Sequence, residues 1–587
     1  MEEKKKKGFS SRQKRVIRDN MVGYAFILPN LIGYAIFIFI PVCFSFVLSV
    51  MKWDASQAPM EFVGLANFAQ IFQDEIFMKS FWNTIEYALM TVLPTLVLSL
   101  LLAVLLNNKL KGIAIFRTAI YFPYIASIVA VGAVWNMLFQ PDFGPVNEFL
   151  KFIGIANPPR WVVDVNWAMV AISIVSIWKY MGYYMIVYLA ALQGISSSLY
   201  EAASIDGANG WQKLRYITIP MLTPTTFFVL IMLTIQCFKV FDLVYVMTGG
   251  GPGNATKTLV NYIYEKAFTS WQLGPASAGA IILFAVVLVI TLVQFAGEKK
   301  MVSGLNVKEG NGMQTKQKSY KGLIYILLVL LSLFMLVPFY WMVISSLKLN
   351  KDVFSIPMKW WPDSIHWNNY QIIWKKLPLT TFFLNTAKLT ICTTVIQLFT
   401  SCLAAYGFTK TKFKGRDLIF LMYVTTIAVP WQVYMIPQFI LISKMGLNDT
   451  HIGLILMQAF SAFGVFLIRQ FYISIPDELC EAARIDGLNE FGIFSRIVLP
   501  LGKPAMATLT IFTFTNVWND FMGPLIYLKT KELKTIQLGI RMFISQYGAD
   551  YAWIMAASVC SLIPVVIVFL SCQKFFVEGV AASGLKG

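Results

Sequence analysis

The chain has 587 residues, 57% of them hydrophobic and only 13% charged, and its mean hydropathy is +0.65. A soluble protein of this size would carry about a quarter charged residues, so the composition excludes an ordinary soluble enzyme or binding domain. The net charge of +18 does not describe a nucleic-acid surface either, because it gathers in 4-KKKKGFSSRQKR-15, 299-KKMVSGLNVKEGNGMQTKQKSYK-321 and 410-KTKFKGR-416, each flanking an apolar block. A nucleic-acid binder would need that charge on one soluble face.

From the N-terminus, a basic segment (1–21) precedes the apolar block Tyr24 to Val50. That block is too long for a signal-peptide core and lacks a cleavage site, so it is expected to remain as a first spanning helix, 22–50. About 20 apolar residues cross the lipid core, and blocks of that length predict helices at 83–106, 114–140, 164–193, 222–247 and 276–297. The stretch 298–320 is rich in Gly, Lys, Gln and Asn without apolar periodicity, which predicts a flexible linker. Further helices are expected at 321–347, 380–407, 417–440, 450–471, 502–527 and 552–576. The predicted fold is therefore an all-α integral membrane protein of about 12 transmembrane helices in two six-helix halves, 22–297 and 321–587. An even number of spans puts both termini on one side, and the lysine-rich start makes that side cytoplasmic. Loop 348–379 then lies outside despite Lys348, Lys351, Lys359, Lys375 and Lys376; long loops follow the charge rule weakly, and Trp360, Trp361, Trp367 and Trp374 suit an interface belt.

The seven cysteines lie mostly within apolar segments and read as small buried hydrophobes rather than a disulfide framework. His366 and His451 are far apart with no Cys/His cluster beside them, so a zinc site is not expected. The run 249-GGGPGNATKT-258 lacks the GK[ST] ending of a phosphate-binding loop and falls on the outer side, so it reads as a Gly-rich turn. With no complete nucleotide-binding motif in the chain, any ATP and Mg belong to a partner.

An internal repeat decides the architecture. The segment 195-ISSSLYEAASIDGANGWQKLRYITIPMLTP-224 aligns without gaps to 475-IPDELCEAARIDGLNEFGIFSRIVLPLGKP-504, so that Glu201 matches Glu481 and Pro220 matches Pro500, each 280 residues apart. Apolar helices of unrelated origin would not align polar residues in this way. Each copy sits between the fourth and fifth helix of its half, so both face the cytoplasm and the repeat is parallel. Each opens as a short amphipathic, alanine-rich helix (Leu199, Ala202, Ala203, Ile205 in the first). Gly207 and Gly487 supply a sharp turn that a Cβ resists. Proline then opens the next helix. The device reads as a docking knob for a soluble partner, used twice.

These two segments resemble the EAA loop of binding-protein-dependent ABC importer permeases. The resemblance extends to 117-RTAIYFPYIASIVAVGAVW-135 and 240-VFDLVYVMTGGGPGNATKTLVNYIYEKAF-268, similar to the first permease of carbohydrate importers. It also covers 428-AVPWQVYMIPQF-439, 446-GLNDTHIGLIL-456, 467-LIRQFYISIPDELCEAARIDG-487 and 516-NVWNDFMGPLIYL-528, similar to the second. The resemblance implies the type I importer permease fold with two permeases fused in one chain, in a bacterial or archaeal cell membrane. It implies two copies of a cytoplasmic ABC ATPase as partners, an extracytoplasmic solute-binding protein and a carbohydrate substrate. Glu201, Ala202, Ala203, Asp206, Gly207 and Glu481, Ala482, Ala483, Asp486, Gly487 would form two coupling helices seated in ATPase grooves. The large outer insertion that the maltose permease carries between its first two helices has no counterpart here.

Charges inside apolar blocks are costly and hence functional suspects; Lys179, Lys239, Asp242, Lys388 and Asp520 qualify. Pairing between helices or snorkelling near their ends is the plainer account. Lys239 and Asp242 have the spacing of a pair on one helix face, so pairing and pore lining both remain open. Sugars are held by aromatic faces and polar groups that bond hydroxyls. Candidates for the substrate path are Trp178, Tyr183, Tyr184, Phe238, Phe241 and Asp242 in the first half, and Trp431, Gln432, Asn516, Trp518, Asn519 and Asp520 in the second. An ion-coupled transporter can also have two six-helix halves, but it has no use for a repeated docking segment. A membrane-embedded enzyme would need a catalytic cluster that the sequence does not offer.

Overall fold

The computed structural model describes residues 11–53, 59–108, 110–303, 321–355, 358–545 and 548–584. The lysines at 4–7 and the linker expected over 298–320 fall largely outside them; only 298–303 is described, and it continues a helix. Among the described residues, seven helices are long and apolar enough to cross a membrane, and five bent helix pairs bring the total to 12 if each pair is one span.

In the first half these are α1 (Arg12–Ser49), α2 (Glu75–Leu106), the pair α3 (Ile113–Ile125) and α4 (Ile128–Leu138), and α5 (Ala168–Gln193). The short α6 (Ser197–Ile205) and an elbow, Gly210–Met221, lead into α7 (Thr223–Phe238), α8 (Asp242–Met247) and α9 (Leu273–Ser303). The second half repeats the order with α10 (Lys321–Ser346), α11 (Leu379–Lys410), the pair α12 (Arg416–Ile427) and α13 (Trp431–Lys444), and the pair α14 (His451–Gln458) and α15 (Ala462–Ile473). Then come α16 (Asp477–Ile485), the elbow Glu490–Leu501, α17 (Lys503–Trp518), α18 (Met522–Tyr527) and α19 (Tyr551–Gly584). Two-residue hairpins at Met51–Lys52/Glu61–Phe62 and Ile544–Ser545/Gly548–Ala549 are the strands among the described residues.

The continuous helices expected at 114–140 and 417–440 are in fact sharply broken, by 97° between α3 and α4 and by 104° between α12 and α13. Ala126 is extended there (ψ 145°), and the Ser127 hydroxyl accepts from the Val129 and Ala130 amides to restart the helix. In the second half Pro430, which has no N–H to offer a preceding turn, caps α13. The expected helices 222–247 and 502–527 also break, after Phe238 and after Trp518. The expected helix 450–471 bends too, by 42° between α14 and α15. Broken backbone within a membrane span is tolerated only where protein or a water-lined passage satisfies it, so these breaks mark the interior to examine.

Each half lends its first helix to the other. Asn30 of α1 donates to Thr400 Oγ1 of α11 (3.1 Å) and accepts from the Tyr423 hydroxyl of α12 (3.0 Å), while Tyr34 stacks on Tyr423 at 4.2 Å. Reciprocally, Phe339 and Tyr325 of α10 meet Phe122 and Phe116 of α3, at 4.5 and 5.3 Å. One core runs through both halves. The outward faces of α9, α10 and α11 carry exposed Val293, Leu330 and Val395, apolar surface suited to lipid. The chain is a multi-pass membrane protein.

Candidate functional site

The two repeated segments stand at one end of the bundle. Both copies form the expected helix, α6 and α16, followed by a left-handed turn at Gly207 (φ 77°) and Gly487 (φ 83°). An asparagine then starts the elbow: Asn209 accepts from the Gln212 amide and Asn489 from the Gly492 amide. Each elbow contains a π-helical turn, Leu214–Thr218 and Phe494–Val498, just ahead of Pro220 and Pro500. Glu201, Ala202, Asp206, Glu481, Ala482 and Asp486 are exposed, and so are the apolar tips Ile205 (83%) and Ile485 (86%). Ala203 is half-buried, whereas Ala483 is buried.

A second constellation lies where the breaks of the two halves meet. The four carbonyls at the end of α3 have no partner within their own helix. Lys179 of α5, buried, gives its ammonium to three of them, Pro123 O (3.2 Å), Tyr124 O (3.2 Å) and Ala126 O (2.6 Å). The remaining one, Ile125 O, accepts from the Asn519 amide of the other half at 2.9 Å. Gln432, the second residue of α13, donates its amide to Lys239 O of the other half at 3.4 Å. Ser127 donates to Gln537 Oε1, and Gln537 Nε2 donates to Trp518 O at 3.2 Å. Asp520 accepts from Gln458 at 2.6 Å and from the Gly523 amide at 3.2 Å. The halves are thus joined at membrane depth by polar side chains bonded to broken backbone.

α5 reaches α3 because Gly182 has no side chain: a Cβ there would lie 2.1 Å from Ile120 O. The close approach is what lets Lys179 reach the carbonyls.

The pairing of Lys239 with Asp242 that their spacing left open does not form. Lys239 caps α7 and Asp242 opens α8, so the break separates them and they share no helix face. The charges that act on Asp242 are Lys179 and, across the halves, Asp520. Asp242 Oδ1 and Gln432 Oε1 are buried with no hydrogen-bond partner. Lys388 is exposed on α11, away from this cluster.

The aromatic candidates divide. Tyr183 stacks on Tyr124 at 4.5 Å, meets Tyr184 edge-on and faces Phe512 of the other half at 6.5 Å. Phe241 stacks on Tyr245, which in turn meets Phe521 across the halves. These residues gather beside the cluster where the halves meet. Trp178 instead packs between Trp135 and Phe339, and Trp518 is buried with its indole N–H on Ser561 O. Trp431 turns its indole to Gln438 of its own helix, Phe238 is buried, and Asn516 is exposed.

Ser127, Gln458 and Gln537 escaped the sequence reading. So did the loop anchors at the opposite end. Asn83 holds Asn254 O and Lys257 O, and Asn385 holds Glu532 O and Lys534 O; the Thr84 and Thr386 hydroxyls accept from the Leu259 and Ile536 amides. Asn67 holds Ser49 O and Met51 O as Asn369 holds Ser346 O and Lys348 O. The signal was present as Asn-Thr at 83 and 385 and as Asn at 67 and 369, each pair 302 residues apart. The Gly-rich run 249–258 is the turn that Asn83, with Lys79 on Gly253 O, ties down.

The family model for the binding-protein-dependent transport system inner membrane component matches residues 87–303 and again 397–581. The probable ABC transporter permease protein YesP of Bacillus subtilis is 39% identical over 288 residues, 48% of this chain and 92% of that protein. The sn-glycerol-3-phosphate transport system permease protein UgpA of Agrobacterium fabrum is 35% identical over 49% of this chain and 99% of its own length. The arabinooligosaccharides transport system permease protein AraQ of Bacillus subtilis is 35% identical over 46% of this chain and 96% of its own length. Each relative is covered almost end to end by about half of this chain, as a fusion of two permeases would be. With its doubled domain and its repeated fold, the chain belongs to the inner membrane components of binding-protein-dependent transport systems.

Proposed function

We propose that this chain is the membrane part of an ATP-driven importer for a carbohydrate. α6 and α16 serve as coupling helices for two copies of a cytoplasmic ABC ATPase that holds the ATP and Mg. The observation that carries this reading is the duplicated, outward-facing knob: two helices with exposed Ile205 and Ile485 at their tips, each turned by a left-handed glycine and joined through an elbow to a helix that ends at a break where the halves meet. Motion imposed on a knob would travel along α7 or α17 to the breaks where the halves are joined. Closure of the ATPase pair would then alternate access to the passage between halves.

On this reading the knob-bearing end faces the cytoplasm of a bacterium or archaeon, both termini lie there, and a solute-binding protein delivers substrate at the opposite end. The linker over 298–320 would connect two permease units that begin at 22 and 321. The passage would be lined by Tyr183, Tyr184, Phe241, Asp242, Gln432, Asn519 and Asp520, which offer ring faces for sugar C–H surfaces and polar atoms for hydroxyls. Relatives named for arabinooligosaccharide and glycerol-phosphate transport support a carbohydrate or related polyol.

The test is a double charge reversal, Glu201→Lys with Glu481→Lys, on the chain co-purified with its ATPase. ATPase is expected to be lost while the membrane part keeps its size-exclusion profile and melting temperature. A complex that forms normally would refute the coupling-helix assignment.

A further inference from the structure

The two knobs match residue for residue in backbone but not in how they are fastened. α16 is clamped to α11 of its own half and packed against α1 of the other. Lys410 of α11 donates to Ile475 O and to Asp477 Oδ1, both at 2.6 Å, with its side chain only 4% exposed. Arg484 donates to Glu490 (2.7 and 3.2 Å) and to Lys410 O (3.3 Å), and the Tyr406 hydroxyl donates to Glu490 at 2.6 Å. Cys480, Ala483, Ile493 and Phe494 are buried in one cluster with Tyr406 and with Phe26 of α1.

The first copy has none of this among the described residues. α6 buries no residue. The side-chain bonds of its segment close within residues 196–218: Tyr200 to Thr218, Lys213 to Ser204, Asn209 with Gln212. The sequence explains why, because Asp477, Arg484 and Glu490 are matched by Ser197, Ser204 and Gly210, 280 residues earlier. Tyr406 and Lys410 are matched by Val104 and Asn108, 302 residues earlier, and Asn108 turns its amide to carbonyls of its own helix.

Charge follows the same division. Residues 475–493 hold five acids (Asp477, Glu478, Glu481, Asp486, Glu490) and one base, whereas residues 195–213 hold two acids (Glu201, Asp206) and one base. Glu478, Glu481 and Asp486 are exposed.

We infer that the two docking knobs are unequal: α16 is a rigid, acidic knob that carries most of the electrostatic affinity for a basic groove on the ATPase and seats first. α6 is a self-contained, weakly charged knob that the partner must order. This rests on the docking role proposed above. A fixed knob costs little ordering on binding, and clustered charge speeds encounter and falls with salt. A loose knob pays its ordering at that moment and is therefore second.

The experiment uses the full chain in nanodiscs and the ATPase subunit that supports its uptake, with binding measured at 50 and 500 mM salt. Glu481→Lys is expected to weaken binding about tenfold at low salt, a loss that shrinks at high salt where screening reaches a few ångströms. Glu201→Lys, the same charge change, is expected to weaken it less than threefold. Equal losses would overturn the inequality while leaving the docking role intact; no loss from either would overturn the docking role itself. In the free chain, amide exchange over 197–213 is expected to run at least tenfold faster than over 477–493 and to slow when ATPase binds. Equal protection of the two segments would also overturn the inference.

Discussion

Replacing Lys179 by Met keeps the length of the side chain and removes the one group that serves three carbonyls at the α3 break. A buried acceptor left unpaired costs about 1–3 kcal/mol, so three would cost up to ~9 kcal/mol if nothing relaxed. Relief from burying an ammonium offsets part of that, and loss of one partner from a buried charge network typically nets about 3–5 kcal/mol. We take ~3 kcal/mol as the expected loss, concentrated on the turn between α3 and α4. At 1.4 kcal/mol per tenfold, local opening there becomes about a hundredfold more frequent. Hydrogen exchange followed by mass spectrometry in nanodiscs reads this on peptides spanning 120–131, with α2 as an internal control. Lys179→Arg, which keeps the charge and the donors, should lose far less. Exchange within threefold of the parent in Lys179→Met would refute the claim that Lys179 satisfies the break.

Asn519→Ala frees Ile125 O and removes a bond between the halves. At about 1 kcal/mol this should shift the balance toward the separated arrangement about fivefold, read as faster basal ATP hydrolysis by the assembled complex without substrate; an unchanged basal rate would count against a cross-half latch. At the opposite end, Asp74 caps α2 and pairs with Lys266 (3.0 Å). Burial works to raise its pKa, but the Lys266 ammonium, the Tyr262 hydroxyl and the Ile76 amide outweigh it and hold the carboxyl below its usual value. Its stabilisation is therefore present above the unfolded pKa of about 4 and is lost as pH falls through the lower folded value. Asp74→Asn should lower the thermal midpoint by an amount worth about 0.5–1 kcal/mol at neutral pH, with the difference shrinking as pH falls below about 4; a difference that does not shrink would point to geometry rather than charge.

Much of this architecture was readable in the sequence because lipid imposes it. Length and apolarity placed the seven long helices, and the 280-residue repeat placed both knobs with their glycines. The breaks were not readable in the same way, since an apolar run such as 114–140 has the same composition whether straight or bent by 97°. What decides the bend is the presence of distant partners, Lys179 and Asn519, that donate to the freed carbonyls. The same blindness left Lys239 and Asp242 open between pairing and pore lining: spacing implies a shared face only if the helix continues between them, and it does not. Trp178 and Asn516 illustrate the limit for the path residues, one lodged between Trp135 and Phe339 and the other exposed, a difference that residue type alone does not carry. The Asn and Thr anchors at 83, 84, 385 and 386 were legible in principle, since they recur at fixed separation, but the repeat is clearest in the docking segment and masks weaker matches elsewhere.

The most direct test of the account is substrate uptake into proteoliposomes containing this chain, its ATPase and its solute-binding protein, screened with a panel of sugars and glycerol phosphates. The account predicts uptake that requires ATP and the binding protein together and is abolished by Glu201→Lys with Glu481→Lys. Uptake driven by an ion gradient with no ATPase present would contradict it.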